Sequence, residues 1–432
     1  MTRFAQRISQ LGTENAFKIG PCIAEAEAAG RDVVRCNLGE PDFPLPAHVR
    51  DELVRQIDLG NTHYVDPQGI LPLRRAIARQ VSETRGIQVT PERVVVFAGG
   101  KPPIGFAQQV YVDPGDEVIY PSPGFPIYES FTRFLGAHPV PLHLAEERGF
   151  SFGADELEPL LSWRTALVYV NFPANPTGGV ADRAQLVEIA DVVRRKADDD
   201  VRVYSDEVYE HMLFDGARHE SIASIPGMEK RTIIVSGVSK SYAWTGGRVG
   251  WAVFPTEREA QAFKTLNINC YSCVPGYNQE AAREAIESPR SAESIAAMVA
   301  AFQARRDEVI AALRGIEGVR CQMPRGAFYA FPNVTGVCER LGAFEAFGAL
   351  PDATRERSSP STLLQMFLLF RHGVATVDRR SFGSLGAEAQ HYLRISLATD
   401  LPALRRAVER LGCAAADRAG FEDFVRQGKH LY

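Results

Sequence analysis

"ALVYVNFPANPTGG", residues 166–179, is an apolar, β-branched run that breaks abruptly into prolines, asparagines and glycines. Such a run reads as a buried strand ending in a turn. Directly after it, Leu186, Ile189, Ala190 and Val193 recur at i, i+3, i+4 and i+7, one apolar face of a helix. The same strand grammar recurs along the chain. "RVVVFAGG" (93–100), "EVIYPSP" (117–123), "VRVYSDEVY" (201–209), "RTIIVSGVSK" (231–240) and "RVGWAVFP" (248–255) are further strands, most followed by helical patterns. Near-continuous apolar strands alternating with amphipathic helices predict an α/β fold with a mainly parallel sheet covered on both faces.

Open sheets of this kind bind ligands beyond the carboxyl ends of their strands. Gly99–Lys101, Asn171–Asn175, Asp206 and Ser236–Lys240 all lie just past predicted strand ends, so four polar clusters should converge on one edge. Lys240 is the most telling of these. It sits among small hydroxyl residues, and Arg248 follows in a glycine-rich setting with Gly246, Gly247 and Gly250.

The tail has a different rhythm. After a helical run near 291–314, "GAFYAFPNV" (326–334) and "HYLRISLA" (391–398) alternate as strands with helices between and after them. This predicts a smaller α+β domain. The expected division is a large domain over 44–310 and a small one built from 1–43 with 311–432.

Composition narrows the function classes. The 432 residues are 45% hydrophobic and 23% charged with a net charge of -5, which disfavours a nucleic-acid or acidic-membrane binder. No apolar run approaches a membrane span, and the first twenty residues lack the apolar core of a secretory signal, so a cytoplasmic location is expected. Seven scattered cysteines fit reduced thiols, and the CxxC at Cys270 and Cys273 has no second ligand pair for zinc. No metal is expected.

Nucleotide loops fail on inspection. Gly100-Lys101 lacks the flanks of a P-loop, and "TGGRVG" is not GxGxxG and precedes a strand. A cofactor with an aldehyde, a pyridine nitrogen and one phosphate fits better. The aldehyde needs a lysine amine, the pyridine nitrogen a carboxylate, and the phosphate hydroxyls with an arginine fork. Lys240, Asp206 and the Ser236, Ser239 and Arg248 set supply all three, which points to pyridoxal 5'-phosphate.

The chain resembles the class I/II pyridoxal-phosphate-dependent aminotransferases of fold type I, the aspartate aminotransferase superfamily. "NLGEPDF" (37–43), "YVDPQGILPLRRAIA" (64–78), "GGK" (99–101), "PGDEV" (114–118), "NPTG" (175–178), "SDEVY" (205–209), "SKSYAWTGGRVGW" (239–251) and "RISLA" (394–398) occur in the family's order. The resemblance implies a seven-stranded sheet and a transferase passing an amino group between an amino acid and a 2-oxo acid. It implies that Lys240 forms the Schiff base and moves the substrate Cα proton, that Asp206 pairs with the ring nitrogen, and that Asn175 and Tyr209 bond the phenolic oxygen. Arg248, Ser239, Ser236 and the backbone of Gly100 and Lys101 are implied at the phosphate, with Phe125 on the ring face. Arg394 is implied at the substrate α-carboxylate, assisted by Gly39 and Asn175. Tyr64 is implied at the phosphate of a neighbouring subunit, making a homodimer with shared sites.

Four departures from the family pattern surround the substrate side. Gly237 stands where many members carry a phosphate-binding serine, so Ser236 is expected to compensate. Gly247 replaces a packing aromatic, Asp378-Arg379 replaces Pro-Gly, and Pro102-Pro103 follows "GGK". Pro102 biases Lys101 toward extended angles, so the strand is expected to end there. In a bacterial branch of the family the corresponding lysine reaches the distal carboxylate of the substrate, which makes aspartate or glutamate a candidate donor; the alternative is that Lys101 only raises the potential around the phosphate. Two alternatives stay open at this point: a β-lyase or racemase on the same scaffold, and a non-enzymatic scaffold or sensor of the same fold.

Overall fold

The structure is a computed structural model and describes residues 3–12 and 18–428. Its principal sheet has seven strands: β2 (Val94–Phe97), β3 (Glu117–Ser122), β4 (His138–His143), β5 (Thr165–Asn171), β6 (Arg202–Asp206), β7 (Thr232–Gly237) and β8 (Gly250–Val253). Their order is β2-β8-β7-β6-β5-β3-β4. Only β8 runs against its neighbours, pairing antiparallel with both β7 and β2. The expected mainly parallel sheet is therefore present.

Every residue of β2, β3, β7 and β8 is buried, because helices cover both faces. Strand alternation divides the core accordingly. Val94 and Val96 pack with Trp251, Val253 and Ile234 on one face. Val95 and Phe97 pack with Ala252, Ile233 and Val235 on the other. The helix Arg183–Lys196 buries Leu186, Ile189, Ala190 and Val193, as its periodicity requires. Asp182 caps it by accepting from Gln185 N–H, with the Gln185 side chain returning the bond.

The remaining strands are short. β1 (Val34–Arg35) pairs in parallel with β10 (Val374–Ala375), so the N-terminal segment joins the C-terminal part of the chain. β11 (Val377–Asp378), β12 (Leu393–Ser396) and β9 (Tyr329–Ala330) form an antiparallel sheet in that order. A separate core packs against them, fed by the helices Arg290–Arg314, Pro360–His372 and Leu401–Ala416. No helix among the described residues is long and apolar enough to cross a membrane.

One backbone expectation fails. Lys101 is not extended: its φ of -82° and ψ of -43° are right-handed helical. β2 has already ended at Phe97, and Lys101 stands immediately before the helix Pro102–Tyr111. Its carbonyl accepts from Ile104 N–H at 3.1 Å. That bond, with Pro103 and Ile104 buried behind it, outweighs the steric bias from Pro102.

Candidate active site

The carboxyl ends of β2, β5, β6 and β7 open onto a cavity of about 330 Å³. Gly39, Gly100, Lys101, Phe125, Asn175, Asp206, Tyr209, Ser239, Lys240, Arg248 and Arg394 all line it. Eleven expected residues drawn from distant parts of the chain thus share one space. Tyr64 and Ser236 do not line it; Tyr64 is 88% exposed on the surface of the single chain.

Asp206 ends β6 and is buried. Tyr128 Oη donates to its Oδ2 at 2.6 Å, and Val208 N–H approaches Oδ1 at 3.4 Å. Asn171 ties the adjoining strand end down, donating to the Asp206 carbonyl at 3.1 Å while accepting from Asn175 N–H at 3.1 Å. Burial pushes the Asp206 carboxyl up to about 6; Tyr128 and the Val208 N–H pull against it, Glu207 adds to it, and Lys240 opposes it. The group is a carboxylate that desolvation makes costly to ionise and that gains from a cation beside it.

Lys240 lies in the single turn Val238–Ser241 after β7. Its Nζ donates to the Gly39 carbonyl and sits 5.9 Å from the ring centres of Tyr209 and Phe328. Phe125 meets Tyr128 edge-on at 5.8 Å, and Lys101 Nζ lies 5.8 Å from the Phe125 ring.

Two guanidinium groups mark separate parts of the cavity. Arg248 donates to the carbonyls of Thr245 (2.8 Å) and Ala98 (3.1 Å). Its approach explains Gly99, and the close approach of the Gly99 backbone in turn explains Gly250. A Cβ on Gly99 would stand 2.3 Å from Arg248 Nη2, and one on Gly250 would stand 2.5 Å from the Gly99 carbonyl carbon. Gly247 is accounted for as well, because the Trp244 ring fills the space beside it and would meet a Cβ at 2.2 Å. Arg394, on β12, is buried; it donates to Asn175 Oδ1 (2.9 Å) and the Asn37 carbonyl (2.5 Å). The rings of Tyr329 (4.6 Å) and Phe382 (4.9 Å) flank its guanidinium. Among the described residues, Arg394 Nε has no hydrogen-bond partner.

Residues 31–411 match the family described as aminotransferase class I and II. The chain belongs to this family. It is 37% identical to the aspartate/prephenate aminotransferase of Cereibacter sphaeroides over 90% of this chain and 92% of that protein. The crystal structure of the aspartate aminotransferase from Rhizobium meliloti superimposes with a TM-score of 0.86 at 31% identity, covering 96% of this chain and 99% of that one. The aspartate aminotransferase from Thermus thermophilus with maleate gives 0.82 at 29% identity, over 96% of this chain and all of that one.

Aminotransferases of this type use pyridoxal phosphate, and the cavity's chemistry suits that group. It offers an amine, a buried carboxylate with one oxygen left without a close donor, an aromatic face, and a guanidinium beside the glycine-rich turn after β2.

Ser236, expected at the phosphate, lies elsewhere. Its Oγ donates to Glu210 Oε1 at 2.5 Å, within a buried charged cluster. Alternation along β7 dictates this: Ser236 shares a face with Ile234, which packs under Ile77 and Val81 of the helix Leu71–Arg85. Arg85, ending that helix, grips Glu207 (2.7 Å) and Glu210. Sequence reasoning also missed Tyr128 and Tyr329, both supplied through long-range contacts. For Tyr128 a signal existed, since it lies three residues after Phe125 in the same stretch.

Proposed function

We propose that this aminotransferase divides the chemistry among its residues as follows, with a dicarboxylic amino acid as donor. Pyridoxal phosphate, when bound, supplies an aldehyde that links to amines and a ring that takes up the electron pair released at the substrate Cα. Lys240 provides the resident amine and moves the proton at that Cα. Asp206 holds the ring nitrogen cationic, Tyr209 and Asn175 bond the phenolic oxygen, and Phe125 covers one ring face. Arg248, Ser239 and the N–H groups of Gly100 and Lys101 hold the phosphate. Arg394 forks onto the substrate α-carboxylate, with Gly39 and Asn175 beside it.

The observation that carries this reading is the meeting of Lys240 and the buried Asp206 carboxylate in one cavity with Arg248 and Arg394. A lysine, a buried carboxylate and two guanidiniums from three separate segments have no structural need to share one cavity. The acidic donor is supported by Lys101, a cationic side chain lining the same cavity, and by the relatives named for aspartate. The Thermus relative is described with maleate, itself a dicarboxylate. We further assign Tyr64 to the phosphate of a second copy, across a cytoplasmic homodimer whose protomers divide into 44–310 and 1–43 with 311–432. The exposure of Tyr64 favours that assignment.

Mixing the holoprotein with single amino acids tests the reading directly. Aspartate or glutamate should convert the bound cofactor to its amine form, seen in absorbance, faster than alanine or phenylalanine. Lys101→Ala should depress the acidic substrates selectively. Elimination or racemisation without conversion would replace amino transfer with another chemistry, and equal loss for all substrates would remove the acidic donor.

A further inference from the structure

Tyr329 lies on β9 in the "GAFYAF" stretch, which otherwise reads only as a strand. It is buried, yet it lines the cavity. Its hydroxyl is 2.7 Å from that of Tyr209, and its ring lies 4.6 Å from the Arg394 guanidinium. Gly39 is pressed against the same hydroxyl so closely that a Cβ there would stand 2.0 Å from it. One side chain therefore touches the residue assigned to the phenolic oxygen, the residue assigned to the α-carboxylate, and the loop beside both.

We propose that Tyr329 is a positioning residue: its hydroxyl donates to Tyr209 and thereby aims the Tyr209 proton at the cofactor's phenolic oxygen, while its ring seats Arg394. This rests on the assignments of Tyr209 and Arg394 above. The argument is one of hydrogen counting. Two hydroxyls in contact share a single hydrogen bond, and each phenol has one proton. If Tyr209 donated to Tyr329, its only proton would be consumed within the pair. If Tyr329 donates, the Tyr209 proton is left for the cavity and is made a stronger donor by the bond it receives. Tyr209 keeps that proton, because burial pushes its phenol far above the usual range.

The direction of donation can be read from the bound cofactor. A donor aimed at the phenolic oxygen favours the form carrying most negative charge there, the deprotonated chromophore. Weakening that donor raises the pH midpoint of the holoprotein's visible absorbance. Tyr329→Phe, which keeps the ring, should raise the midpoint by about 0.3–1 pH unit. Tyr209→Phe should raise it further, and the double variant should match Tyr209→Phe alone. The ring is tested separately. Tyr329→Phe should leave KM for the amino donor within about two-fold, whereas Tyr329→Leu should raise it by about two- to thirty-fold.

A midpoint that falls in Tyr329→Phe would mean that Tyr209 donates to Tyr329, and would overturn the proposal. An unchanged midpoint, or shifts that add in the double variant, would overturn it equally. If Tyr209→Phe itself left the midpoint unmoved, the failure would lie in the assignment of Tyr209, and the role of Tyr329 would fall with it.

Discussion

Replacing Asp206 with asparagine should push stability and catalysis in opposite directions. In the cofactor-free protein the buried carboxyl titrates at about 6 rather than its ordinary 3.8, chiefly because burial penalises the charge. A pKa raised on folding means that the proton-bound form favours the native state. That contribution is complete below pH 4 and is lost as pH rises through about 6. The separation corresponds to about 3 kcal/mol, a cost the wild type carries at pH 7.5 and not at pH 4. Asparagine has nothing to titrate and can still accept from Tyr128. Cofactor-free Asp206→Asn should therefore gain stability on wild type between pH 4.5 and 7.5, followed as the difference in melting temperature.

Catalysis should move the other way. With a cationic ring nitrogen beside Asp206, the ionised carboxylate becomes half of a buried pair. Removing one partner of such a pair costs about 3–5 kcal/mol. If that loss falls on the transition state, kcat/KM drops between about one hundred- and several thousand-fold. The same preparation, reloaded with cofactor, measures it. Near-normal turnover, or a variant whose stability follows pH as wild type does, would refute the reasoning about Asp206.

Two further outcomes follow from the same cavity. Lys240→Ala should still bind the cofactor, held by the carboxylate and the phosphate contacts, yet lose nearly all turnover; cofactor stoichiometry and steady-state rates check both halves. Arg394→Ala should lower kcat/KM for amino acids by roughly 30-fold to several thousandfold, the cost of removing one partner of a buried charge pair, while amines lacking a carboxylate lose much less.

The parts of this site legible in the sequence are those that travel with a strand end. Asp206 closes β6 and Lys240 follows β7 within one turn, so an apolar run followed by a polar residue located both. What escaped depends on faces and on distance along the chain. Tyr128 reaches Asp206 from 78 positions away, and the Asn37 carbonyl meets Arg394 across 357. No local pattern encodes such meetings. Ser236, expected to compensate at the phosphate for the serine that Gly237 replaces, bonds Glu210 instead. A strand turns alternate residues to opposite faces, and Ser236 falls on the face covered by the helix Leu71–Arg85.

The same division of faces explains how the turn after β6 is held. Asp206 and Tyr209 line the cavity, whereas Glu207 and Glu210 lie together on Arg85. Glu207 also accepts from Ser205 (2.7 Å) and Ser221 (2.5 Å), with His219 Nε2 at 2.9 Å, and Glu210 accepts from Ser236. Burial alone would raise the Glu207 carboxyl; Arg85 and His219 overcome it and hold the group well below the usual range. Two ionised carboxylates are thus bound to one guanidinium at the back of the turn, where losing the partner of either would be strongly unfavourable. The turn cannot rotate to re-aim Asp206 or Tyr209 without breaking those bonds. Its charge also reaches forward, since Glu207 is one of the groups that raise Asp206. The cluster behind the cavity therefore fixes where the Asp206 carboxylate points and adds to the electrostatic demand for a cation in front of it.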